Sequence, residues 1–252
     1  MSAFNGPNAC TGSETDPEKG AELSSPAIRD AATLIVLRDA QTAPRVLMGQ
    51  RGSAATFMPN KFVFPGGAVD AGDAQIALTA PIAEPCRSRL SDQADLPPPA
   101  LVSAAIRELW EEAGLILGTP GNWPRPVPPD WQSYAASGHR PSGNGLHFVF
   151  RAITPPGAPR RFDARFFLID ADALAGDPDD FSAATDELSH LQWVPLDRAR
   201  GFDLPFITEV VLAEVTALLP DIRPPDSVPF FNNTDEASLF QRLAGRSPLT
   251  PS

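Results

Sequence analysis

The chain has 252 residues, 42% of them hydrophobic, so one large domain or two small ones with a sizeable core can form. The formal net charge of −11 argues against a basic nucleic-acid-binding surface, and it demands a local cation wherever an anionic ligand is held. The 29 prolines cluster at 97–99, 124–129, 155–159 and 224–229, which predicts long irregular loops. Residues 1–26 are polar, with almost no large apolar side chain, and are expected to be a disordered tail. Ala31–Leu37 is a β-branched apolar run with the character of a buried strand, and Arg45–Gly49 reads as its partner across a turn. A third short strand, Lys61–Phe64, runs into the chain-turning Pro65-Gly66-Gly67. Residues 74–99 lack periodicity and end in three prolines, so they are expected to be an insertion that stays outside the sheet and could be replaced by a short linker. A helix follows over Ala100–Ala113, with Leu101, Val102, Ala105, Ile106 and Leu109 on one face and Gly114 as its left-handed stop. His147–Ile153, Arg165–Ile169 and Leu191–Val194 read as further strands, and Leu204–Leu219 as a second amphipathic helix. The folded domain is thus expected over 27–222, with 223–252 a loosely held C-terminal tail.

The two cysteines, Cys10 and Cys86, belong to no CxxC or Cys/His cluster, which leaves zinc unsupported. Free thiols suit a reducing cytoplasm. No apolar run has the length of a membrane span, no secretory signal is visible, and Thr250-Pro251-Ser252 is not a peroxisomal address. A cytoplasmic protein is the expectation.

Chemistry concentrates in Arg107-Glu108-Leu109-Trp110-Glu111-Glu112-Ala113-Gly114-Leu115. Residues three and four apart share a helix face, so Glu108, Glu111 and Glu112 come together opposite the apolar stripe. Three adjacent carboxylates repel one another unless a cation sits among them, and hard oxygen donors suit Mg²⁺ or Mn²⁺. Arg107 and Glu111, spaced i,i+4, can pair so that the guanidinium orients that carboxylate. A solvated charged face is the ordinary reading of a charge run. Such a face normally mixes in lysines, and this one has none. Five specified residues at this spacing should also arise by chance only about once in several thousand such chains.

This segment resembles the Nudix family, whose signature is G-x5-E-x7-R-E-U-x-E-E-x-G-U with U a bulky aliphatic residue. Arg107 through Leu115 match its second half at every specified position. Gly67 supplies the opening glycine, but Asp73 stands where the family has Glu, and it precedes Arg107 by 34 positions where the signature has 8, an excess of 26. Asp186-Glu187 followed by Leu191-Gln192-Trp193-Val194-Pro195-Leu196 looks like the family's later acidic position and strand. Met58-Pro59-Asn60, Val63-Phe64-Pro65-Gly66-Gly67 and Arg161-Phe162-Asp163-Ala164-Arg165-Phe166-Phe167 resemble a narrower branch, the type-19-like group, some members of which cleave coenzyme A (CoA) and acyl-CoA. The resemblance implies an α/β fold, a Nudix-type α/β/α sandwich around a mixed sheet. It implies Glu108, Glu111 and Glu112 as ligands of Mg²⁺ or Mn²⁺, Glu111 or Glu112 as the base for an attacking water, and Arg107 as the group that orients Glu111. Gly66 and Gly67 would admit metal or phosphate close to the backbone, and Asp73 would supply an outer carboxylate.

Glu187 is a candidate auxiliary base or metal ligand, against the plain reading of a surface acid. Arg51, Arg161 and Arg165 are candidate phosphate contacts or ordinary surface arginines. Trp123, Trp131 and Tyr134 either line a pocket or pack a loop. His139, His147 and His190 share no ligand spacing and are taken as structural. The expected partner is a small nucleoside diphosphate derivative, with no nucleic acid and no membrane, and with a homodimer left open. CoA or acyl-CoA hydrolysis, hydrolysis of ADP-ribose, NADH or dinucleoside polyphosphates, and a non-catalytic nucleotide sensor are the three readings. The intact carboxylate cluster speaks against the last.

Overall fold

The computed structural model describes residues 26–124, 126–233 and 238–244. Residues 1–25 of the expected 1–26 tail, with Cys10, and residues 245–252 lie outside them. The strands are β1 (Ile28–Arg38), β2 (Arg45–Arg51), β3 (Phe62–Val63), β4 (Gly66–Ala68), β5 (Gly118–Pro120), β6 (His139–Pro141), β7 (His147–Ile153), β8 (Arg161–Asp170), β9 (Leu188–Pro195), β10 (Val228–Asn233) and β11 (Ser238–Leu243). The helices are α1 (Cys86–Leu90), α2 (Pro98–Ala113), α3 (Gln132–Ala136) and α4 (Phe206–Leu218).

Among the described residues, nine strands form one sheet in the order β11-β10-β7-β8-β1-β2-β3, with β4 added to β1 and β9 to β2. The sheet is mixed: β1 runs parallel to β8 and β10 parallel to β7, while the remaining pairs are antiparallel. Alternation along β1 sets the layers, because successive strand side chains point to opposite faces. Ala32, Leu34 and Val36 meet Leu101, Val102, Ala105, Ile106 and Leu109 of α2 in one core, with Phe148 and Phe167 from the neighbouring strands. Ile35 and Leu37 face the other way, against Val211, Leu212 and Val215 of α4. The result is the expected α/β/α arrangement.

Helix α4 spans 13 residues and covers only part of its face. Nearer the start of β1 the sheet is left open, and Ala31 and Thr33 of β1, Phe162, Ala164 and Phe166 of β8 and Phe231 of β10 line a cavity of about 1020 Å³. The walls come from the segment 51–58 and from the first residues of α4.

Two expectations are corrected. The segment 74–99 adds no strand to the sheet, but it is not a replaceable loop: Ile76, Ile82, Cys86 and Leu90 are buried in the α2-side cluster. Arg89 of α1 donates to the carbonyl oxygens of Ala244 (2.7 Å) and Asp226 (2.7 Å), and Arg151 of β7 donates to those of Asp92 (3.0 Å) and Gln93 (2.7 Å). A glycine-serine replacement would leave the sheet's end uncovered. Ile82→Val should accordingly cost roughly 0.5–1.5 kcal/mol in urea unfolding, the usual penalty for a buried methyl, and an unchanged midpoint would return the segment to the status of a loop. The second correction concerns 223–252. Residues 228–233 and 238–243 contribute β10 and β11, with Phe230 and Phe231 paired to Arg151 and Ala152 of β7, because Val228, Phe230 and Leu243 are apolar groups that the sheet's end can bury.

Candidate active site

Helix α2 starts at Pro98, after Pro97, and ends at Gly114, whose φ of +71° is left-handed as expected. The glycine also permits close packing, since a Cβ there would come within 2.8 Å of the Ala184 backbone nitrogen. Just behind it, the Thr185 N–H donates to the Glu111 carbonyl oxygen at 2.8 Å, so the loop leading to Glu187 is pinned to the helix end.

The charged face is not solvated. Arg107, Glu108 and Glu112 are buried and Glu111 is half-buried. Arg107 is the hub. It donates through Nε and Nη2 to the two oxygens of Asp73 (both 3.0 Å), through Nη1 to Glu108 (2.9 Å) and Glu111 (3.0 Å), and through Nη2 to the Ala68 carbonyl (2.9 Å). Burial alone would lower the Arg107 pKa, but the surrounding carboxylates raise it above its ordinary value, so the guanidinium stays charged. The expectation for Arg107 and Glu111 is thus met in space, and Arg107 reaches further than its helix spacing implied. Asp73 is not an outer carboxylate of an open site. It is 1% exposed, is fixed by Trp131 Nε1 (3.0 Å) and the Asp70 N–H (2.9 Å), and grips Arg107 bidentately. Trp131 and Tyr134 are fully buried, and neither they nor Trp123 line the cavity, so the three rings pack as a cluster behind Asp73.

Strand β4 is where helix and cavity meet. Gly67 lies opposite Ala32 of β1 on the α2 side, and a Cβ there would fall 2.4 Å from Glu108 Oε1. The neighbouring Gly66 N–H donates to Glu112 Oε2 at 2.6 Å, while Glu112 Oε1 is buried without a hydrogen-bond partner. Glu108 and Glu111, with Arg51, Gly66, Gly67 and Glu187, line the cavity, whereas Glu112 sits behind its wall. Glu187 pairs with Arg51 at 3.1 Å. These expected site residues are therefore gathered in one place. Arg161 and Arg165 are not. Both are buried elsewhere: Arg165 pairs with Asp163 (3.2 Å) and with Asp30, while Arg161 donates to the carbonyls of Thr154 (3.1 Å) and Asn233 (2.8 Å). The cations on the cavity that the sequence did not single out are Arg29 and Arg160.

The electrostatics ask for a cation. Asp73, Glu108 and Glu111 share the single guanidinium of Arg107, while Glu112 turns to the Gly66 N–H. Burial pushes the Glu108 carboxyl up to about 7, aided by the charge of Glu111 and opposed by Arg107. Burial raises Glu111 too, and it raises Glu112 well above the carboxylate range, with Glu108 adding repulsion. Among the described residues, no three acidic, His or Cys side chains converge as a ready ligand set, because Glu108 and Glu111 turn toward Arg107 and Glu112 toward Gly66. The donors are all hard oxygens, and the orphaned Glu112 oxygen is a lone pair lacking an electrophile. The residues present therefore fit a hard divalent cation.

The chain matches no family model. It is 32% identical to a NUDIX hydrolase from Alicyclobacillus acidocaldarius known from its crystal structure, over 78% of this chain and 94% of that one, with a TM-score of 0.58. The chain belongs to the Nudix hydrolase family. It is also 34% identical over 179 residues to a Caenorhabditis elegans protein provisionally named nudix hydrolase 7, covering 66% of this chain. It spans about half of that relative, 51% of its length. Nudix hydrolases generally use divalent metal ions, which agrees with the charge imbalance around α2. The family frame makes the Gly67–Glu108 contact testable. Gly67→Ala should cost the fold only about 1 kcal/mol, the low end for overpacking, because the clash is with the far end of a flexible side chain. It should weaken divalent-metal binding roughly tenfold to a hundredfold by displacing the Glu108 carboxylate. Calorimetric titration compares the two proteins, and equal affinities would remove Glu108 from the ligand set.

Proposed function

We propose that this Nudix chain is a Mg²⁺- or Mn²⁺-dependent diphosphohydrolase of nucleoside diphosphate derivatives, with CoA and its thioesters as leading substrates. The observation that carries this reading is the carboxylate cluster of α2 opening, beside Gly66 and Gly67, onto the large cavity. Glu108, Glu111 and Glu112 would hold the divalent ion. When bound there, it supplies Lewis acidity toward the diphosphate and acidifies a water. Arg107, held by Asp73, keeps Glu108 and Glu111 in place. A water oxygen attacks one phosphorus, the bridging P–O bond breaks, and the bridging oxygen leaves with the other phosphate. The water's proton goes to a cavity-facing carboxylate: Glu111, or Glu187 beyond it.

Size and lining favour a substrate larger than a bare nucleotide. A volume of about 1020 Å³ is at the upper end for small-molecule sites, and Phe57, Met58, Phe162, Phe166 and Phe231 give it apolar walls. An adenosine diphosphate joined to a long arm matches such a space. The 3′-phosphate of CoA also finds cationic wall residues in Arg29, Arg51 and Arg160. Among the described residues no helix is long and apolar enough to cross a membrane, and the proposed partner is a small molecule.

Mg²⁺ or Mn²⁺ should raise the melting temperature of the purified protein, through the linkage of binding to stability. A flat thermal-shift titration would count against the metal site. The substrate is decided by kcat/KM for CoA, acetyl-CoA, ADP-ribose and NADH under one metal condition. CoA or its thioester is expected to lead. A tenfold advantage for ADP-ribose or NADH would replace CoA while leaving the diphosphohydrolase reading intact, and no cleavage with any divalent metal would favour a nucleotide sensor.

A further inference from the structure

Helix α4 begins on the cavity wall, where Pro205, Phe206, Ile207 and Thr208 all line the space. Its cap position is Pro205, with no side-chain cap. The Thr208 and Glu209 N–H groups both turn back to the Pro205 carbonyl, at 2.9 and 3.3 Å. Among the described residues nothing accepts from the N–H groups of Phe206 or Ile207. Phe206 is 74% exposed at this edge. A second, independent feature points the same way. Thr208 is only 4% exposed, yet its hydroxyl makes no hydrogen bond to the described residues and is not among the enclosed polar atoms. Thr208 is also one of the cavity's lining residues, so the exposure left to its side chain is placed at that space. The hydroxyl of this otherwise buried side chain is thus left for a ligand or water to bond.

The start of a helix carries about half a positive charge and free N–H donors, which suits an anion. We infer that the first turn of α4, with Thr208 Oγ1, is a phosphate subsite of the cavity, in which the Phe206 and Ile207 N–H groups and the Thr208 hydroxyl hold phosphate oxygens. The inference rests on the diphosphate reading above and assigns that site residues outside the signature helix. Arg51 and Arg160 line the same cavity; Arg51 is paired with Glu187 at 3.1 Å, whereas Arg160 has no acidic partner among the described residues. Glu209, the acid in this turn, is exposed and is not a lining residue. The phosphate can come from the scissile diphosphate or from a separate phosphomonoester on the same molecule.

The test uses inorganic phosphate with EDTA, so that metal sites take no part, followed by amide NMR in wild type, Thr208→Val and Thr208→Ser. Phosphate should shift the Phe206 and Ile207 amides saturably in wild type. Thr208→Val should weaken binding about tenfold, as expected for one hydrogen bond to a charged group, and Thr208→Ser should restore it. The inference is overturned if those amides do not respond, if Thr208→Val binds like wild type, or if Thr208→Ser is as weak as the valine variant. Turnover of CoA and 3′-dephospho-CoA then separates the sources. A KM increase of about tenfold in Thr208→Val confined to CoA assigns the subsite to the phosphomonoester, and an increase shared by both assigns it to the diphosphate. An unchanged KM for both ends its role in substrate binding. If wild type cleaves neither compound, the diphosphohydrolase reading fails, while the phosphate titration still decides the subsite.

Discussion

Glu112→Gln should lower kcat by roughly a hundredfold or more while the protein remains folded. The substitution is nearly isosteric, and its amide oxygen can still accept from the Gly66 N–H that now donates to Oε2 at 2.6 Å. What disappears is a carboxylate 1% exposed, with one oxygen lacking a partner and with its proton affinity raised by burial and by Glu108. If that oxygen is a metal ligand, no neighbour can replace it. Glu111→Gln should also be severely impaired, because Glu111 lines the cavity and lies 3.0 Å from Arg107. The measurement is single-turnover and steady-state hydrolysis at saturating Mg²⁺ with the melting temperature recorded alongside. Full activity in both variants, with unchanged melting, would sink the assignment of the α2 carboxylates.

Arg107→Met is expected to have the largest effect on stability. Removing one partner of a buried ion pair leaves the other charge without compensation, at roughly 3–5 kcal/mol. Here the abandoned groups are Asp73, which is 1% exposed and loses two 3.0 Å bonds, and the neighbouring Glu108. For a chain of this size the melting temperature should fall by on the order of 10 °C. The double variant Asp73→Asn/Arg107→Met should recover part of the loss, since the stranded charge is then gone. Additive losses in that cycle would mean that Asp73 and Arg107 do not depend on each other.

Much of this could be read from residues in order, and the reasons it stopped are physical. The α2 segment was readable because a 3.6-residue period and a dense run of acids coincide within a few turns. The strands over Ala31–Leu37, observed from Ile28 to Arg38, and over His147–Ile153 were readable because β-branched and aromatic residues run together. Strand β10 was not: Val228-Pro229-Phe230-Phe231-Asn232-Asn233 carries a proline and two asparagines, and only its pairing with β7 and β11 makes it a strand. The segment 74–99 hid its contribution because Ile76, Ile82, Cys86 and Leu90 are too widely spaced to show a period, and their burial depends on partners far along the chain. Arg161 and Arg165 stood open between phosphate contacts and surface arginines and are neither, since sequence does not reveal that carbonyl oxygens and Asp163 already hold them. Asp73 could be aligned to the signature, but its grip on Arg107 across 34 positions is visible only in space. The cavity itself has no sequence signature, being the part of a sheet face that α4 fails to cover.

That partial cover has an evolutionary corollary. The carboxylates are anchored from one side of the sheet by α2, whereas the ligand's bulk is shaped from the other side by the segment 51–58, the start of α4 and the last strands. The two sides touch at the glycines of β4. Mutations that reshape the recognition side can therefore accumulate with little disturbance to the reactive centre, so that substrate choice can drift among descendants of one ancestor while the bond they cleave stays the same.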